Sequence, residues 1–204
     1  EKGKIPNERL IKEAVYLKSL SHPSIPIIYD IEEDERYFYI IEEYVQGESL
    51  KSMLNRQKHF SMEEIIEYGI QLCDIVDYLH NQKPYPIVHG DITPTNIMIK
   101  NRKIKLIDFG NSITITGKEQ KMDIYGTPDF MIPEGTEEMV CNVKADIYSV
   151  CAVINSMCQQ EWGKKEQGIS LKRGKLKKVI EKGLGQKQRD GYQKIAELKD
   201  ELMD

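Results

Sequence analysis

The chain has 204 residues, 40% of them hydrophobic and 30% charged, with a formal net charge of −4. That length and mix suit a soluble globular protein with one sizeable core or two lobes sharing one, and the slight acidity gives no general reason to expect nucleic acid as a partner. No apolar run approaches the length needed to cross a bilayer, and the N-terminus lacks the apolar region of a signal peptide. Because the sequence starts without Met, it reads as a fragment, and a membrane tether outside it stays compatible with the rest. Cys73, Cys141, Cys151 and Cys158 keep neither metal-ligand spacing nor a disulfide framework, which favours a reducing, cytoplasmic setting.

In chain order, Pro6-Asn7 followed by Leu10, Ala14, Leu17 and Leu20 predicts a capped amphipathic helix that stops at Ser21-His22-Pro23. Lys2 and Lys4 stand so close to its start that too little chain is left for a strand. Residues 25–32 and 37–44, rich in Ile, Tyr and Phe, predict a hairpin around the charged turn 33–36. Two strands alone leave an open sheet edge. Ser61-Met62-Glu63-Glu64 is a capping box, and apolar residues from Ile65 to Leu79 continue at helical spacing as far as His80. His80 and His89 lack a third ligand at zinc-site spacing, so they are not read as a metal site.

The stretch 87–110 carries the chemistry. Asp91 sits among turn residues, Asn96 follows five positions later, and residues 97–99 and 104–107 predict two short strands, the second closed by Asp108. An acceptor-only carboxylate on a loop, beside a carboxylate and an amide oxygen that can hold Mg²⁺, is equipment for aligning a hydroxyl with a nucleotide phosphate. Downstream, residues 111–125 are polar and include Ser112, Thr114 and Thr116; Asp146 opens a helix; residues 176–184 and 192–203 predict the last two helices. The basic interval 164–178 reads as a solvated face, since it lacks aromatic residues on which bases could stack.

His89-Gly90-Asp91-Ile92-Thr93-Pro94-Thr95-Asn96, followed by Asp108-Phe109-Gly110, resembles the catalytic loop and metal-binding segment of eukaryotic-type serine/threonine protein kinases. Glu13 and its helix resemble the family's C helix, residues 43–50 its hinge, 61–80 its E helix, Gly126 to Glu134 the end of its activation segment, and residues 146–153 the start of its F helix. The resemblance implies an α+β fold of two lobes in one domain over residues 1–204. Residues 1–45 would form a partial N-lobe of helix and hairpin, and 46–204 the hinge and a mainly helical C-lobe. It implies Asp91 as the base or orienter of the substrate hydroxyl, Asn96 and Asp108 as Mg²⁺ ligands, and Glu13 as the partner of a phosphate-binding lysine. The backbone of Glu43 and Val45 would hydrogen-bond adenine, with Met98 beneath it, and the Thr127 hydroxyl would bond Asp91. Asp146 would bond the backbone of the catalytic loop, His89 would stack near Phe109, and Glu42 would stand at the position guarding the back of the pocket. Cofactors would be ATP and Mg²⁺, and the partner a protein substrate rather than nucleic acid.

Departures from the pattern are specific. Gly90 and Thr93 replace an arginine and a lysine, Cys151 replaces a glycine of the F helix, and the family's glycine-rich loop and phosphate-binding lysine have no counterpart in the chain. The expected function is ATP- and Mg²⁺-dependent phosphoryl transfer to Ser or Thr of proteins, with a pseudokinase acting as a binding or scaffolding module as the alternative.

Overall fold

The computed structural model describes residues 2–4, 17–34, 37–116, 127–133, 143–162, 171–185 and 191–204. Strand β1 (Lys2–Lys4), β2 (Ile28–Glu33) and β3 (Tyr37–Glu42) form an antiparallel sheet in the order β1-β3-β2. The expected hairpin is therefore present, with a register shift between Ile28 and Asp30. Contrary to expectation, the chain ahead of Asn7 does supply a strand, and Lys2, Gly3 and Lys4 pair with Tyr39, Phe38 and Tyr37. Pairing needs only backbone N–H and C=O groups, so three residues suffice to cover the edge that two strands would leave open. Of the helix predicted around Glu13, only the end from Leu17 onward lies within the described residues.

The larger part of the molecule is built on helices. Ser49 caps a short helix α1 (Leu50–Asn55) that starts where the expected hinge, residues 43–50, ends; its hydroxyl accepts from Ser52 N. Helix α2 (Met62–His80) begins with the predicted capping box, Ser61 and Glu64 each satisfying the other's backbone N–H. Ile65, Leu72, Ile75, Val76 and Leu79 recur on one face of it and are buried. That face meets α3 (Val143–Trp162), where Val150, Val153, Ile154 and Met157 are each fully buried. Helix α4 (Leu171–Leu184) starts five residues earlier than the apolar spacing suggested, and α5 (Ile195–Met203) buries Leu198 and Leu202 against the same core. Each such side chain withdrawn from water stabilises by about 1.5–3 kcal/mol.

Two small sheets carry the loops that follow. Strand β4 (Glu48–Ser49) pairs with β6 (Ile97–Lys100), which pairs with β7 (Lys103–Leu106). Asn101 and Arg102 turn the β6–β7 hairpin with φ of 51° and 61°, the left-handed pair that a two-residue hairpin loop demands. Strand β5 (Ile87–Val88) pairs with β8 (Ile113–Thr114), so the segment read from sequence as polar and irregular begins with a strand. The small sheet is tied to the helices through residues 21–25: Ser21 N donates to Tyr78 Oη at 2.8 Å, and Leu106 N donates to Ser24 O at 2.9 Å.

Cys151, in a place the family fills with glycine, is accommodated from the other side. A Cβ on Gly183 of α4 would stand 2.1 Å from Cys151 Sγ, so the close approach of the two helices rests on the glycine of α4. Gly183→Ala should therefore destabilise by about 1–3 kcal/mol through overpacking. Adding Cys151→Gly should recover most of that, giving a favourable coupling between the two substitutions in urea-unfolding midpoints. Additive effects would show that the contact does not limit the packing.

Candidate active site

A buried carboxylate organises the loop that holds Asp91. Asp146, in the first turn of α3, is fully buried; its Oδ2 accepts from His89 N at 2.9 Å and its Oδ1 from Gly90 N at 3.0 Å. The ring of His80, at the end of α2, adds a third bond, Nε2 to Asp146 Oδ2 at 2.9 Å. Burial alone would raise the Asp146 carboxyl, but the His80 hydrogen bond, the nearby imidazoles and the Gly90 N–H outweigh it and hold the group below its ordinary value. The two backbone bonds are those the resemblance implied. The His80 bond was missed, because nothing in a lone histidine at a helix end shows what lies across from it in space.

His89 is wholly buried, with its ring 4.7 Å from that of Phe109 and tilted by 60° rather than stacked. Its Nδ1 accepts from Asp91 N at 3.3 Å, so the ring is neutral with its proton on Nε2, and burial lowers its pKa despite the carboxylates around it. A backbone hydrogen bond with Ile107 also works against that lowering.

Asp91 is held from two sides. Asn96 Nδ2 donates to Asp91 O at 3.0 Å and to Asp91 Oδ2 at 3.1 Å. From the other end of the activation segment, Thr127 N and Thr127 Oγ1 each reach Asp91 Oδ1 at 3.3 Å. Thr127 leads a 3-10 turn (Pro128–Phe130) whose Phe130 carbonyl accepts from Ser149 Oγ of α3 at 2.7 Å. The same helix thus anchors both the loop of Asp91 and the segment of Thr127.

Asn96 is joined to the residue before Asp108 by the β6–β7 hairpin, Ile107 N donating to Asn96 O at 2.9 Å. Asp108 is exposed and lies at φ 63°, a left-handed conformation that aspartate tolerates better than most residues; Gly110 N donates to its Oδ1 at 3.2 Å. Gly90 also has a left-handed φ of 79°, and a Cβ there would stand 2.9 Å from Asn111 O. Ser112 is buried and donates to His89 O at 3.2 Å, while Thr116 is exposed.

At the hinge, Glu43 N donates to Ile27 O at 2.8 Å, which leaves the carbonyl of residue 43 as the backbone group able to meet a ligand there. Met98 on β6 is half-buried and lies opposite Ser49 of β4 and Lys105 of β7. Glu42 is exposed and lies opposite Ile28. Glu13, Gly126 and Glu134 lie outside the described residues. Among the described residues no helix is long and apolar enough to cross a membrane.

A loop aspartate bracketed by an asparagine and a threonine and hung from a buried helix is the arrangement that the resemblance to protein kinases implied. The chain matches the protein kinase domain family over residues 1–203. It is 34% identical over 160 residues to serine/threonine-protein kinase Nek11 of Mus musculus, covering 75% of this chain and 25% of that protein. It is 33% identical over 151 residues to serine/threonine-protein kinase Nek3 of the same organism, covering 72% and 29%. With death-associated protein kinase 2, also of Mus musculus, it shares 33% over 148 residues, covering 70% and 39%. The chain therefore belongs to the protein kinase family, and it spans between a quarter and two-fifths of the length of these serine/threonine kinases.

The buried pair sets a pH dependence. His89 has a lowered folded pKa, so the unfolded chain binds its proton first and stability falls as pH drops through about 6.5. Asp146 is also lowered; its contribution is present above about 3.9 and is lost as pH falls through its folded value. Urea midpoints should thus decline from pH 7 to 5 and again below 4. His89→Phe should remove much of the first decline and only a small part of the second, His22 keeping a remainder of the first because burial lowers it too. An unchanged slope between pH 7 and 5 in that variant would contradict the assignment.

Proposed function

We propose that this chain is the catalytic domain of a kinase that transfers phosphate from Mg²⁺-bound ATP to serine or threonine of protein substrates. In this reading it is one kinase-like domain over residues 1–204, with a small lobe at 1–45 and the hinge and large lobe at 46–204. The observation that carries it is the double hold on Asp91, by Asn96 of its own loop and by Thr127 of the segment against which a substrate would lie. A hydroxyl reaching Asp91 would donate to its carboxylate, which turns an oxygen lone pair toward the phosphate and takes the proton as transfer proceeds. Thr127 keeps the carboxylate turned to that side. Its place beside Asp91 supports serine and threonine as acceptors.

The donor set suits Mg²⁺. Asn96 has its amide nitrogen occupied by Asp91, leaving the amide oxygen, and Asp108 adds a carboxylate; both are hard oxygen donors. Among the described residues no group of three or more His, Cys, Asp and Glu could hold a metal, which fits an ion completed by phosphate and water rather than by a protein cage. Asn96 and Asp108 would hold the ion, and the chemistry it supplies when bound is charge to offset the phosphates. Adenine would meet the Glu43 carbonyl and the Val45 backbone, with Met98 beneath it. Glu13 keeps the role of partner to a phosphate-binding lysine. Cys73, Cys151 and Cys158 are buried within the helical core, which supports a reducing, cytoplasmic location.

A second reading, a pseudokinase that binds without transferring, is favoured by the loop itself. Between His89 and Asn96 no lysine or arginine stands near the transferred charge, and Thr93 is buried at 2% exposure. The two readings part on turnover. In the natural protein, Asp91→Asn should lower kcat for a Ser/Thr peptide by about 10²-fold or more with little change in ATP affinity. Thr127→Ala, which removes one hydrogen bond to the same oxygen, should cost about five- to tenfold. Tight Mg²⁺-dependent ATP binding with no transfer above the Asp91→Asn background would decide for the pseudokinase.

A further inference from the structure

Residue 43 is fixed in place more firmly than the rest of the hinge. Its carboxylate receives Lys105 Nζ at 2.6 Å on each oxygen, and Ile27 N donates to Glu43 Oε2 at 3.3 Å. Its own N–H donates back to Ile27 O at 2.8 Å. Lys105 stands on β7 directly across from Met98, the residue under the proposed adenine position. Side-chain exposures of 27% for both partners set this pair apart from the ion pair between Lys18 and Asp30, at 42% and 56%. Solvated pairs are worth little, but one that is half-buried and doubly hydrogen-bonded resists rotation of the residue that bears it.

From this geometry we infer that Lys105 is a positioning residue for nucleotide recognition: by gripping the Glu43 carboxylate from the strand below, it fixes the direction of the Glu43 carbonyl, and so the choice of adenine over guanine. The inference rests on the proposed ATP site. With the side chain and the N–H of residue 43 both committed, its carbonyl is the one backbone group left to face a base. A carbonyl held still accepts from an amino group at adenine C6 and repels the oxygen that guanine carries there, because neither oxygen can donate. Once the grip is lost, the peptide unit can turn, and the penalty against guanine should fall along with the gain for adenine. The grip also couples the hinge to the hairpin that follows Asn96, since Lys105 lies across from Met98, two residues after Asn96.

The experiment compares the natural protein with Lys105→Met, which keeps the apolar stem, and with the charge-reversed pair Glu43→Lys/Lys105→Glu. Calorimetry gives the Kd of Mg·ATP and Mg·GTP for each, steady-state kinetics separates KM from kcat, and a melting temperature reports structure. Lys105→Met should raise the Kd and KM for ATP roughly tenfold, narrow the ATP-to-GTP preference by a similar factor, and change kcat much less. The charge-reversed pair should regain most of the preference. A Lys105→Met protein that melts lower but keeps its ATP-to-GTP ratio would make the ion pair structural only and overturn the inference, leaving the ATP site intact. If the parent protein bound neither nucleotide, the ATP site would fall and the inference with it.

Discussion

A single buried carboxylate supports the whole catalytic region. Asp146 is out of water, and an unpaired charge there would be costly, yet it receives two backbone N–H groups and an imidazole. The requirement runs in both directions. The carboxylate needs donors, and the backbone of His89 and Gly90, buried or half-buried with no strand partner for those N–H groups, needs an acceptor. Because Asp146 opens α3 and Ser149 one turn later holds the Phe130 carbonyl, one helix sets the relative position of the catalytic loop and the Thr127 segment. That helix is itself fixed by burial between α2 and α4.

The pattern of the large lobe was legible because its signals are local. A capping box at Ser61, apolar residues at helical spacing to Leu79, and two Ile-rich runs around a short turn each state their own secondary structure. The order of Asp91, Asn96, Asp108 and Thr127 was also legible, through resemblance, and the structure brings Asp91, Asn96 and Thr127 into contact. What stayed hidden is non-local. The strand at Lys2–Lys4 has no apolar alternation and exists because β3 offers it a backbone edge. Ile113–Thr114 becomes a strand because Ile87–Val88 lies beside it, and α1 is too short for periodicity to announce. His80 and Lys105 have ordinary surroundings in sequence, and only folding places each against its carboxylate.

The two lobes meet through few described links, and these differ in kind. Residues 21–25 use backbone groups, Ser21 N on Tyr78 Oη and Ser24 O receiving Leu106 N, supported by the ring of His22 4.9 Å from that of Tyr78. Such bonds are short-ranged and tolerate little sliding. The hinge link is an ion pair between long side chains, half-buried on both sides yet still dependent on ionic strength.

Gly90 shows how a change of charge and a change of backbone are bound together. Read as sequence, it is the loss of a cation beside Asp91. In the fold it is also a residue with φ of 79°, against which the Asn111 carbonyl packs so closely that a Cβ would stand 2.9 Å away. The glycine permits a backbone conformation that side chains disfavour, and the start of the activation segment has closed over the space a side chain would need. Ser112 continues that closure by bonding the His89 carbonyl and pairing β8 with β5 follows directly after it. An arginine could not be restored here by substitution alone, since the Asn111 peptide would have to withdraw and the Ser112 bond with it. The start of the segment, residues 111–114, is held to the catalytic loop by packing and hydrogen bonds that use no side chain at position 90.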